Sequence, residues 1–223
     1  MPSYKLALFD LDGTLTKERS AWEYIHRRLG VWDGYAENFQ AAFLRGEITY
    51  DRFCQLDAAI WKGMKVSDLE RILQEIPLYE GVEALLLYLR SKGIKLGIIS
   101  SGLTLLSERM RKEFHFDYAV ANELGVADGT LNGEIIINVH YDRKGEWVRE
   151  AQRRFNVQPE EILAVGDSTG DIDMFQMAGL SIAFNPLSTR LETLATFSVH
   201  STDLRDLIPP LAFHLDIGGR SGK

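Results

Sequence analysis

Leu6-Ala7-Leu8-Phe9-Asp10-Leu11-Asp12-Gly13-Thr14 is the stretch on which the fold turns. Four apolar residues in a row, with no polar alternation, are the mark of a strand buried on both faces. Three similar runs follow: Ile94 to Ile99, Ile162 to Val165 and Leu180 to Phe184. Each is preceded by a helical stripe and followed by Gly, Ser or Asp. The stripes are Val82, Leu85, Leu86 and Leu89, then Trp147, Val148, Ala151 and Phe155, then Ile172, Phe175 and Met177-Ala178. Alternation of apolar strands with amphipathic helices predicts an α/β fold, a Rossmann-like doubly wound parallel sheet. Ligands of such sheets bind at the carboxyl ends of the strands, where the unusual polar residues of this chain fall.

Residues 17–80 have another texture. Four helical stripes follow one another without a strand: Trp22, Ile25 and Leu29; Tyr35, Phe39, Ala42 and Phe43; Phe53, Leu56, Ile60 and Trp61; Val66, Leu69, Ile72 and Leu73. They predict a small all-helical cap inserted after the first strand, with residues 1–16 and 81–210 forming the core. Between 117 and 140 the pattern turns to strands and hairpin segments, with turn chemistry at Asp128-Gly129 and Asn132-Gly133. Residues 211–223, ending Gly218-Gly219-Arg220-Ser221-Gly222-Lys223, are expected to form a flexible tail.

The formal net charge of -7 gives no support to nucleic-acid binding, which needs a basic surface. Cys54 is the one cysteine, so no disulfide framework or thiolate metal cage is available; it is expected as an apolar filler. The apolar run before Asp10 is too short for a signal peptide, and nothing approaches a membrane span. A cytoplasmic monomer or homodimer is expected.

Four stations carry chemistry. Asp10 and Asp12 share a face in an extended segment, and would repel each other unless a cation sat between them. Gly13 and Thr14 add a tight turn whose N–H groups can face a phosphate. Ser100-Ser101-Gly102 ends the second strand, with a hydroxyl and turn amides suited to phosphoryl oxygens. Lys144 precedes Gly145 at a helix start. Gly166-Asp167-Ser168-Thr169-Gly170-Asp171 puts two more carboxylates at a strand end. The five histidines show no ligand spacing and are expected to be structural or superficial; His140 is near Lys144 in sequence.

In this order the four stations resemble the haloacid dehalogenase superfamily of phosphohydrolases, closest to its phosphoserine phosphatase branch. The resemblance covers about residues 4–210 and includes Tyr118-Ala119-x-Ala121-Asn122, Lys144-Gly145-Glu146 and Ile182-Ala183-Phe184. It implies that Asp10 is the nucleophile and Asp12 the general acid and base. It further implies Mg²⁺ held by the carboxylates of Asp10 and Asp167 and the carbonyl of Asp12, with Asp171 supporting. Ser100, Ser101, Lys144 and Gly13 would hold the phosphoryl oxygens of a small phosphate ester. At the two positions where that branch reads its substrate from the cap, this chain has Arg19 and Asp57, with the charges exchanged. Glu18 and Arg52 lie close by in sequence, and Gly170 stands where the branch usually has asparagine. Arg19 thereby becomes available to a second anionic group. Two other readings stay open: a phosphotransferase passing the group from Asp10 to a small alcohol, and a non-catalytic phospho-acceptor switch.

Overall fold

The computed structural model describes residues 4–219. Its centre is a seven-stranded sheet. In chain order the strands are β1 (Leu6–Phe9), β2 (Lys95–Leu103), β3 (Tyr118–Ala127), β4 (Thr130–Ile136), β5 (Ile162–Gly166), β6 (Leu180–Phe184) and β7 (Phe197–Val199). Their spatial order is β4-β3-β2-β1-β5-β6-β7, parallel except for β4, which runs antiparallel to β3. The doubly wound sheet expected from the apolar runs is therefore present, with β1 in the middle.

The packing explains why β1 reads as unbroken apolar sequence. Ala7 and Phe9 join one hydrophobic cluster, whereas Leu6 and Leu8 join another on the opposite face. Phe9 is level with Ile98 on β2 and with Val165 on β5. Asp10, Ser100 and the Gly166-Asp167 turn are thus delivered side by side to one edge of the sheet.

The helices are α1 (Ala21–Arg28), α2 (Glu37–Leu44), α3 (Tyr50–Ile60), α4 (Val66–Gln74), α5 (Val82–Ser91), α6 (Thr104–Glu113), α7 (Gly145–Phe155), α8 (Ile172–Gln176), α9 (Thr189–Leu194) and α10 (Ile208–Gly219). The first four lie between β1 and α5. Ser20 and Thr49 start α1 and α3 by accepting the N–H groups of Glu23 and Arg52, as capping hydroxyls do. A stacked Trp22–Trp61 pair, with ring centroids 5.3 Å apart, centres the helical insertion. The segments that enter and leave it touch each other, Lys17 donating to the Pro77 carbonyl and Tyr79 to that of Leu15.

Two local expectations are corrected. Asp128-Gly129, both at positive φ, does turn between β3 and β4. Asn132-Gly133 does not turn; it lies inside β4, where the Asn132 side chain accepts the Glu134 N–H. The second correction is the tail. Residues 211–219 belong to α10, and Leu211 is fully buried in the main core. Glycine-rich composition at the extreme end masked an apolar stripe just before it; residues 220–223 lie outside the described ones.

The hairpin of β3 and β4 also grips the insertion. Gly63 donates to the Leu131 carbonyl, Leu131 donates to that of Met64, and Val66 donates to that of Gly129. Among the described residues no helix is long and apolar enough to cross a membrane.

Candidate active site

Asp10 leaves β1 almost wholly buried, and its Oδ1 lies 2.5 Å from the Lys144 Nζ. Lys144 stands at the start of α7, and the same Nζ lies 2.6 Å from Asp171 Oδ1. Burial alone would lower the lysine's pKa, but Asp10 and Asp171 outweigh it and keep the ammonium charged. Asp171 is fixed by its other oxygen, which accepts the N–H groups of Asp167 and Ser168 at 3.1 and 3.0 Å. That box exists because β5 ends in a turn that closes on itself.

Asp167 receives the Thr14 hydroxyl at 3.3 Å on Oδ1, and Arg19 Nη1 at 2.5 Å on Oδ2. The other arm of Arg19 reaches the Asn185 carbonyl at 3.1 Å. Gly13 has φ +83, and a Cβ there would run into the Asp167 carboxylate. Glycine is thus required both for the turn and for the approach of β1 to β5.

Asp12 is held differently. Its Oδ1 accepts the Ala21 N–H at 2.8 Å, at the first turn of α1, and its Oδ2 faces the Ser100 hydroxyl at 3.4 Å. Ser100 is fully buried, and its oxygen accepts the Gly102 N–H at 2.9 Å. Burial, followed by the charge of Asp10, pushes Asp12 up to about 7. Burial also raises Asp10, to about 6, with Lys144 pulling against it. Burial and the charges of Asp10 and Asp171 push Asp167 well above the usual carboxylate range in spite of Arg19.

Asp10, Asp167 and Asp171, all buried, each offer an oxygen within 4.8 Å of the others. Clustered hard carboxylate oxygens, buried and close enough to converge on one point, are the donor set a divalent cation such as Mg²⁺ requires. The residues fit that ion.

A cavity of about 310 Å³ opens beside these groups, and Asp10, Asp12, Lys144, Asp167, Ser101 and Arg19 reach its wall. The structure thus gathers Asp10, Asp12, Gly13, Ser100, Ser101, Lys144, Asp167, Asp171 and Arg19 in one place. Asp57 is the exception. It is buried in the helical insertion with its Oδ1 3.4 Å from His26 Nε2, and it does not line the cavity. It lies one helical turn beyond Phe53, where α3 faces its own helical neighbours. Glu18 and Arg52 do not line the cavity either, and His140 faces Asp51 and the Tyr50 ring instead of the carboxylates.

Sequence inspection passed over Tyr50. Its hydroxyl donates to the Ser101 carbonyl at 2.7 Å, and Asn122 donates to both of these oxygens. Tyr50 and Phe53 occupy positions i and i+3 of α3, so a shared face was legible; that the face meets the site was not. Tyr141 also lines the cavity. No pattern marks it, because it lies in an irregular segment.

Known proteins resemble this chain along most of its length. The chain is 32% identical to a phosphoserine phosphatase of Idiomarina loihiensis over 204 residues, 91% of each chain. It is 35% identical over 184 residues to a phosphoserine phosphatase of Archaeoglobus fulgidus, spanning 81% of itself but only about half, 52%, of that relative. A solved structure described as a phospho-aspartyl intermediate analogue of phosphoserine phosphatase superposes with a TM-score of 0.81 at 27% identity, covering 93% of this chain and 99% of the other. The family model described as haloacid dehalogenase-like hydrolase matches residues 7–176. That span begins inside β1, ends with α8 and takes in the strand ends that carry Asp10, Ser100 and Asp167, and on this ground the chain belongs to the haloacid dehalogenase-like hydrolases.

Proposed function

We propose that the protein is a Mg²⁺-dependent phosphomonoester hydrolase, similar to phosphoserine phosphatases, that works through a phospho-aspartyl intermediate on Asp10. The observation that carries this reading is the unequal setting of two neighbouring carboxylates. Asp10 faces the Lys144 ammonium, while Asp12 faces an amide and a hydroxyl and is raised by burial and by the charge of Asp10. Two neighbouring carboxyl groups in such different settings suit a nucleophile and an acid.

The chemistry follows from those roles. An Asp10 oxygen forms a bond to phosphorus as the bond to the ester oxygen breaks, and Asp12 gives its proton to the departing alkoxide. Asp12, now a carboxylate, takes a proton from a water that attacks phosphorus. The bond to Asp10 breaks, inorganic phosphate leaves and both aspartates are restored. Lys144, Ser100, Ser101 and the N–H groups of the Gly13 turn would bind phosphoryl oxygens. Mg²⁺ held by Asp10, Asp167 and the Asp12 carbonyl, with Asp171 supporting, would supply the positive charge that phosphoryl transfer needs. We assign the enzyme to the cytoplasm, where it would act on small-molecule esters as a monomer or homodimer.

Hydrolysis of 4-nitrophenyl phosphate tests the proposal. Activity is expected with MgCl₂, lost in EDTA and lost in Asp10→Asn. Turnover that survives Asp10→Asn, or persists without a divalent cation, refutes it.

A further inference from the structure

The wall of the cavity away from the carboxylates is rich in apolar and aromatic side chains. Trp22, Phe43, Leu44, Phe53, Tyr141 and Leu187 line it. Leu44 and Leu187 are 73% and 61% exposed at its rim. Phe43 stacks on Phe53 with centroids 5.3 Å apart, and meets Tyr141 edge-on at 6.1 Å. Among the described residues, two charged side chains beyond the reacting groups reach this wall, Arg19 engaged through both arms and Glu23 through one oxygen. Arg19 is held by Asp167 and the Asn185 carbonyl, and Glu23 accepts from Arg27 Nε at 2.7 Å.

Tyr141 is placed there by its neighbours. Its hydroxyl lies 3.0 Å from the Thr169 hydroxyl, and its ring and carbonyl press on Gly170. A Cβ on Gly170 would stand 2.7 Å from the Tyr141 carbonyl oxygen. The glycine in the metal-side turn and the aromatic wall therefore belong together.

Within the phosphatase reading above, on which this rests, we propose that the substrate's leaving group is a flat apolar alcohol or phenol in place of a zwitterionic amino acid. An ammonium and a carboxylate brought against Phe43, Phe53 and Tyr141 would shed water and find no charged partner among those rings. An aromatic body would bury apolar surface against Phe43, Phe53 and Tyr141 and stack on their rings.

The test is binding by the full chain in MgCl₂, measured calorimetrically with two non-hydrolysable phosphonates, 2-naphthylmethylphosphonate and 2-amino-3-phosphonopropionate. The naphthyl compound is expected to bind at least about tenfold more tightly. Tyr141→Ala is expected to cost it about tenfold while moving the amino compound by less than about twofold, and Tyr141→Phe to keep the preference. Equal affinities, tighter binding of the amino compound or binding of neither overturns the inference. Because no turnover is involved, its failure is separate from failure of the hydrolase reading, which would appear as the absence of Mg²⁺-dependent ester cleavage.

Discussion

At the scale of single residues, the site is a problem of placing four aspartates in a space too small for four free charges. Lys144 and Arg19 offset part of that charge, and burial with the charge of Asp10 favours the protonated form of Asp12. If Asp12 is the acid, kcat/KM falls as pH rises through about 7, where the carboxyl raised by burial and by Asp10 loses its proton. It falls on the other side as Asp10, raised to about 6, becomes protonated; a bound cation would move that limb lower. Asp12→Asn is expected to cost about 10²–10⁴-fold in kcat and to remove the alkaline limb. A wild-type profile that stays flat through pH 8 sinks the assignment. The aspartates were legible in the sequence because they fall as two pairs in the short polar segments that directly follow two apolar runs. Asp57 was not, because helical spacing tells which residues share a face but not what the face meets.

At the scale of elements, the decisive contact is between α3 and the end of β2. Asn122 on β3 is fully buried and donates to the Tyr50 hydroxyl, the Ser101 carbonyl and the Val139 carbonyl. Its oxygen accepts the N–H groups of Asn138 and Val139 at 2.9 and 2.8 Å. Asn122→Ala would strand several of these groups and is expected to cost roughly 2–3 kcal/mol of stability. Tyr50→Phe removes one donor and is expected to cost about 1 kcal/mol. Urea melts of the two variants measure this; equal, negligible effects refute the account. The strands and most helices could be read from periodicity alone, since burial on two faces or one leaves a direct trace in composition. The α3–β2 contact leaves none, because it joins residues 51 apart through a hydroxyl and a carbonyl.

At the scale of the whole molecule, the buried carboxylates set how stability depends on pH. In the folded chain Asp10 and Asp12 hold protons up to about 6 and about 7, whereas the unfolded chain releases them near the ordinary value of 3.8. The folded state therefore binds more protons across that window, and stability without metal falls as pH rises through it. Mg²⁺ held by these carboxylates, as proposed, would favour their charged forms. It is expected to raise Tm by several degrees at pH 8 and by clearly less at pH 5. Thermal melts with MgCl₂ and with EDTA at both values check this, and a larger shift at the acid value contradicts it. The seam between β4 and the 63–66 segment bears on how the molecule behaves in company. An open sheet invites a neighbouring chain to add a strand to its edge, and this hairpin carries Val126 and Ile136 at 52% and 59% exposure. The main-chain bonds from Gly63, Leu131 and Val66 occupy part of that edge. At the far edge β7 is only 3 residues long. The helical insertion that shapes the cavity thus also covers part of the sheet edge that another chain's strand would need.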